Sequence, residues 1–123
     1  MVLLIGGAYQ GKTAYAKQTY GLRDADIFTC EGETLNLSAP CLRHLERFAH
    51  ACVQAGKEPA DVLAGLDLHG KILICEDISC GVVPMDAEAR EWREAVGRMN
   101  AALAARADTV TRMFCGLPME LKG

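Results

Sequence analysis

One stretch near the N-terminus constrains the chain more than any other. The apolar run Val2-Leu3-Leu4-Ile5 leads directly into Gly6-Gly7-Ala8-Tyr9-Gln10-Gly11-Lys12-Thr13, the pattern G-x-x-x-x-G-K-[ST]. Glycines let a backbone turn tightly enough for successive N–H groups to converge on an anion. A helix starting at the end of the loop adds its positive dipole end to the same point. In such a cradle Lys12 reaches the β- and γ-phosphates of a nucleotide and the Thr13 hydroxyl holds Mg²⁺. A chance match in a chain this short is on the order of one in a few hundred. The residues Gly6, Gly7, Ala8, Tyr9, Gln10, Gly11, Lys12 and Thr13 are therefore read as a nucleotide-binding loop for ATP or GTP.

The rest of the chain alternates in a way that suits this loop. Thr13 to Tyr20 reads as a short helix closed by Gly21, and Ile27-Phe28-Thr29-Cys30 as a short strand. Ser38 suits an N-cap and Pro40 the first turn of a helix carrying Leu42, Leu45, Phe48, Ala49, Cys52 and Val53 at helical spacing, up to Gly56. Glu58-Pro59 opens a second helix with Val62, Leu63 and Leu66, which Gly70 breaks. Lys71 to Cys75 is a continuous apolar run, as a strand buried on both faces requires, and Glu76-Asp77 closes it. After the loop Ile78–Pro84, Asp86 caps a long helix over residues 87–106 with the apolar stripe Ala89, Trp92, Val96, Met99 and Leu103. Thr109 to Cys115 reads as a further strand, turned at Gly116 and Pro118, and Met119–Lys122 as a last short one. The fold class is α/β: a mostly parallel sheet with helices on both faces, in one domain spanning residues 1–123.

Composition narrows the function classes. The chain has 123 residues and a net charge of −3, with no basic excess to make nucleic acid its main partner. No run approaches a membrane span, and the N-terminus has neither the charged nor the apolar region of an export signal, so a cytoplasmic location is expected. The six cysteines contain no C-x-x-C pair and read as reduced, mostly buried thiols rather than a zinc site.

Phosphoryl transfer needs positioning and charge neutralisation more than covalent chemistry. Lys12 and the loop supply the first; Thr13 with Mg²⁺ and an acidic strand end supply the second. Asp77 and Glu76 are the metal-supporting candidates by position, with Glu31 next. Of three histidines, His44 lies in Leu42-Arg43-His44-Leu45-Glu46-Arg47 and has basic neighbours. It can be read as a nucleophile forming a phosphoramidate, or as part of the solvated side of an amphipathic helix together with Arg43, Glu46 and Arg47. His69 reads as a loop residue, and His50 has no evident partner.

A series of C-terminal motifs carries a family resemblance. Gly81-Val82-Val83-Pro84, Gly97-Arg98-Met99-Asn100, Leu103-Ala104, Ala107-Asp108-Thr109-Val110 and Gly116-Leu117-Pro118-Met119-Glu120-Leu121-Lys122 resemble the adenosylcobinamide kinase / adenosylcobinamide-phosphate guanylyltransferase family. The opening Leu4–Ala8 with Gly11-Lys12-Thr13 is similar to that family's as well. The resemblance implies a RecA-like P-loop fold, usually a homotrimer, and two chemistries. These are phosphorylation of the aminopropanol hydroxyl of cobinamide and joining of GMP to that phosphate through a guanylylated histidine. Asp77 falls on the family's acidic position, within Glu76-Asp77-Ile78-Ser79-Cys80-Gly81 where relatives read Asn-Glu-Val-Gly-x-Gly. The interval from Gly21 to Lys71 is too short to hold both the family's histidine- and arginine-rich segment and its further acidic strand. Two other readings stay open: a nucleotide-binding homologue without transfer chemistry, acting in regulation or assembly, and a different small-molecule P-loop kinase.

Overall fold

The computed structural model describes residues 1–7, 11–78 and 86–123. Its elements run β1 (Val2–Gly6), α1 (Lys12–Tyr20), β2 (Ile27–Thr29), β3 (Cys41–Arg43), α2 (Leu45–Gln54), α3 (Pro59–Ala64), β4 (Ile72–Glu76), α4 (Ala87–Arg106), β5 (Thr109–Phe114) and β6 (Leu117–Lys122). The six strands form one sheet in the order β2-β3-β4-β1-β5-β6. The first five in that order are parallel and β6 returns antiparallel along β5.

The apolar runs of β1 and β4 follow from covering both faces. Leu3, Leu42, Leu73, Cys75 and Val110 face Phe48 of α2, Leu63 of α3 and Val96, Met99 and Leu103 of α4. The opposite face of the same strands places Leu4, Cys41, Ile72 and Ile74 with Ala16 of α1, flanked by Tyr15 and Tyr20. A strand with a core on each side cannot alternate with polar residues, which is why the two central strands read as unbroken hydrophobic runs. The long helix begins where expected: the Asp86 carboxylate accepts from the Ala89 N–H at 3.0 Å. Burial pushes the thiol of Cys30 up to about 12 and that of Cys41 up to about 11. Cys52 and Cys75 are buried and raised as well, so these four are inert core thiols.

Three expectations are corrected. No helix starts at Pro40; residues 41–43 are the strand β3, and α2 begins only at Leu45. The cause is non-local: the Pro40 carbonyl accepts from Ile72 N at 3.0 Å, and Cys41 and Leu42 take register with Ile72 and Leu73. Ser38 caps nothing helical, since its hydroxyl donates to Asn36 Oδ1 at 2.8 Å. The helix α3 stops at Ala64 rather than running to Gly70. Cys115 is exposed, because β5 ends at Phe114 and residues 115 and 116 form the turn to β6.

Gly6 is closely packed at the start of the loop. A Cβ added there would stand 2.7 Å from the Met113 carbonyl oxygen of β5, closer than atoms can approach. We expect Gly6→Ala to force β1 and β5 apart and cost about 1–3 kcal/mol in urea-induced unfolding. Gly97→Ala, at an open helical position, should be neutral or stabilising.

Candidate functional site

Parallel strands deliver their C-terminal ends to one rim, and in open α/β sheets ligands bind there. Here that rim collects Gly6 of β1, Glu76 of β4, Phe114 of β5, Arg43 of β3 and Thr29 of β2. Gly7 continues from β1 into the loop, and Gly11, with φ of 79°, precedes the first turn of α1. That left-handed conformation suits glycine and turns the chain into the helix. The helix start carries no side-chain cap and no acidic residue in its first turn. Its N–H groups and dipole are therefore arranged for an anion from outside the helix. Lys12 is buried, and its Nζ donates to the Gly7 carbonyl at 2.7 Å, which closes the loop on itself. Thr13 follows on the same turn, half-buried. Of the expected loop residues, Ala8, Tyr9 and Gln10 lie outside the described residues, as do Ser79 to Pro84 of the later loop.

The acidic strand end meets this loop through the backbone. The Asp77 N–H donates to the Gly6 carbonyl at 2.7 Å, which carries the pairing of β4 with β1 one residue past the strand. Glu76 and Asp77 thus stand beside the first glycines. Glu31 follows β2 at the far edge of the sheet, three strands from β1. At about 4.8 Å per strand, β2 is roughly 14 Å away, so Glu31 is not brought to the loop.

The residue that the sequence reading mislaid is Glu46. A helical frame beginning at Pro40 put it on a solvated face, yet it is 3% exposed. Its Oε1 accepts from the Glu76 N–H at 2.8 Å, and its Oε2 pairs with His44 Nδ1 at 2.7 Å. Its backbone carbonyl accepts from Trp92 Nε1 at 2.8 Å. One residue therefore ties the end of β4, the β3–α2 joint and α4 together. His44 belongs to that joint rather than to a helix face, with φ of 62° and a side chain 29% exposed. A bulky residue in the left-handed region costs on the order of 1 kcal/mol and persists only where its surroundings hold it. With an ionised Glu46, which only accepts, the ring proton would sit on Nδ1 and Nε2 would be left with its lone pair free.

Arg43 and His50 have structural partners. Arg43 gives both Nε and Nη2 to the Thr29 hydroxyl, at 3.1 and 2.7 Å. Arg47 is exposed. His50 stacks on Trp92 with ring centroids 4.7 Å apart and sits 3.4 Å from Glu88. His69 lies in a turn away from the rim. Among the described residues, no group of three or more His, Cys, Asp or Glu could hold a metal by itself.

A parallel sheet whose central strand runs through a glycine-rich loop into a helix, with an acidic strand end alongside, is the fold of a P-loop NTPase. The chain belongs to the cobinamide kinase / cobinamide phosphate guanyltransferase family, whose profile matches residues 34–121, about seven-tenths of its length. It is similar to the bifunctional adenosylcobalamin biosynthesis protein CobP of Pseudomonas aeruginosa, with 38% identity over 58 residues. That alignment covers 46% of this chain and 34% of the relative. It is also similar to the bifunctional adenosylcobalamin biosynthesis protein CobU of Salmonella typhimurium, with 35% identity over 51 residues, covering 42% of this chain and 28% of the relative. The matched span thus reaches about a third of either relative. The family match starts at residue 34, after the glycine-rich loop, so Gly6–Thr13 stands on its own motif.

Removing the Glu46 carboxylate leaves the Glu76 N–H and His44 Nδ1 without their acceptor. Glu46→Ala should lose about 1–3 kcal/mol in chemical denaturation. The exposed Glu88→Ala should stay within about 0.5 kcal/mol of the unaltered chain.

Proposed function

We propose that this chain is a Mg²⁺- and nucleotide-dependent phosphotransferase acting on the aminopropanol hydroxyl of cobinamide. The observation that carries this reading is the joining of loop and acidic strand end at one backbone bond, Asp77 N–H to Gly6 O, beside the buried Lys12. Lys12 neutralises and positions the β- and γ-phosphates of ATP or GTP, helped by the N–H groups of Gly7 to Thr13. The Thr13 hydroxyl, with Asp77 or Glu76 behind it, would hold Mg²⁺, which lowers the cost of charge on the transferred phosphoryl group. The acceptor hydroxyl attacks the γ-phosphorus, the bond to the bridging oxygen breaks, and the nucleoside diphosphate leaves. Family membership supports cobinamide as the acceptor, and the short match to the bifunctional relatives makes it a proposal. No helix among the described residues is long and apolar enough to cross a membrane. A cytoplasmic homotrimer is the form we propose from the resemblance.

The second chemistry has one observation in its favour, the Glu46–His44 pair. A buried carboxylate that fixes the Nδ1 proton leaves Nε2 as a nucleophile, the arrangement used wherever a histidine must be oriented. His44 Nε2 would attack the α-phosphorus of GTP, forming a P–N bond as pyrophosphate leaves. A phosphate oxygen of cobinamide phosphate would then take the GMP and free the ring.

One experiment separates these readings. Purified chain is incubated with Mg²⁺ and labelled ATP or GTP, with and without cobinamide. Phosphorylated cobinamide, lost by at least a factor of about 100 in Lys12→Ala, is the expected result. Acid-labile label on the protein, absent in His44→Asn, supports the histidine; asparagine is chosen because it tolerates the left-handed backbone. Nucleotide binding with neither product would remove the transferase reading and leave a binding homologue. Turnover of another small hydroxyl compound in place of cobinamide would make it a different P-loop kinase.

A further inference from the structure

The strand β5 is built differently on its two faces. Val110 packs into the core beneath α4, so Thr109 and Thr111 on either side of it point to the opposite face. Register with β6 adds Glu120, opposite Thr111, and Pro118, opposite Met113, to that second face. The helix on this side is α1, and its packing reaches Leu4 of β1 and Ile72 and Ile74 of β4. Where α1 covers the sheet the strands are apolar; where it stops, β5 carries hydroxyls.

Between α1 and the β5–β6 hairpin lies a cleft of about 430 Å³, lined by Tyr15, Tyr20, Thr109, Thr111, Pro118 and Glu120. That volume falls within the roughly 300–1,000 Å³ of small-molecule sites. Thr109 pairs with Val2 and Thr111 with Leu4, whereas the glycine-rich loop starts only at Gly6. Tyr20 is likewise the last residue of α1, the far end from the loop. The cleft is therefore separate from the rim.

Its polar groups lack protein partners. Among the described residues, no hydrogen bond or ion pair is made by the two phenols, the two threonine hydroxyls or the Glu120 carboxylate. Thr111 is the telling residue: it is 3% exposed, and the surface it keeps lines the cleft. A buried hydroxyl without a partner is unfavourable, and valine would fill the same space without that cost. Burial first, then the nearby Tyr15 and Glu120, push the Tyr20 phenol up, so it stays a neutral hydroxyl facing both groups.

The lining selects the charge of a ligand. Its side chains carry one negative charge and no positive one, which repels phosphates and carboxylates. A single carboxylate is a poor cage for a bare metal ion, and among the described residues no group of three or more His, Cys, Asp or Glu could hold one. Two aromatic rings beside a carboxylate and hydroxyls instead suit an organic cation. We propose that this cleft binds a small primary ammonium compound, its nitrogen on Glu120 and Thr111 and its organic body against Tyr15 and Tyr20. An ammonium group has three donors and no acceptor, which matches a carboxylate and hydroxyl oxygens left unpaired. This site is independent of the phosphate-loop reading of Gly6–Thr13.

The test titrates benzylammonium, its neutral isostere benzyl alcohol, and glucose into the labelled full chain while amide shifts are recorded. Benzylammonium should move Tyr15, Tyr20, Thr109, Thr111 and Glu120, leave Gly7, Gly11 and Glu76 fixed, and bind about tenfold or more tighter than the other two. Glu120→Gln, at an exposed position, should erase that preference without changing the affinity for benzyl alcohol. Thr111→Val should weaken benzylammonium about threefold or more and leave the melting temperature unchanged or raised. No shifts at any soluble concentration, or shifts centred elsewhere, would overturn the proposal. So would equal binding of benzyl alcohol or glucose, or a preference that survives Glu120→Gln. A lower melting temperature with Thr111→Val would show that the hydroxyl serves the fold, and a drop in oligomer mass with Glu120→Gln would make the cleft an interface between copies. Either result overturns the ligand site.

Discussion

The structure depends on β1 being held between two parallel neighbours with a core on each side. Its residues from Val2 to Gly6 take register with β4 on one edge and β5 on the other, which satisfies its backbone and leaves no room for polar side chains along it. Polar chemistry can then enter only where the strands stop. All five parallel strands stop at the same rim, and Gly6, packed closely against the Met113 carbonyl, is also where the glycine-rich loop begins. Core packing and loop placement are consequences of one arrangement.

Glu46 extends that arrangement sideways. A buried carboxylate is costly unless every lone pair is used, and here the two oxygens and the backbone carbonyl serve three different elements. The result is a chain with a β3 of only three residues that still holds a histidine at the rim. β3 is two strands from β1, roughly 10 Å by strand spacing, which is the reach of a nucleotide's phosphate tail rather than of a side chain. The rim so divided has the glycine-rich loop on β1, carboxylates on β4 and the Glu46–His44 pair beyond them.

Much of this was legible from residues alone, and the failures have a common cause. The loop, the buried run ending in Glu76-Asp77 and the helix capped by Asp86 are written in local patterns: glycine spacing, unbroken apolarity, a cap followed by a stripe. The strand β3 is not. Three residues carry no period, and Leu42 happens to fall in helical phase with Leu45, Phe48 and Cys52, so periodicity alone extends the helix back to Pro40. What decides the matter is register with Ile72 and Leu73, some thirty residues away. Glu46 was lost by the same error, because a helical frame turned it outward. The sequence His44-x-Glu46 at a strand-to-helix joint was the available signal, and it could be used only once the joint was known. Cys115 was misplaced for a local reason, a positive φ at a non-glycine position that no pattern announces.

The central claim is that the rim around β1 and β4 handles the phosphates of a nucleotide. Backbone amide chemical shifts recorded while Mg²⁺–GTP is titrated into the labelled chain test it most directly. The account predicts that Gly7, Gly11, Lys12, Thr13, Glu76 and Asp77 move together with one affinity, while Glu31 and the α3 helix stay fixed. Shifts centred away from Gly6–Thr13, or none at saturating nucleotide, would contradict it.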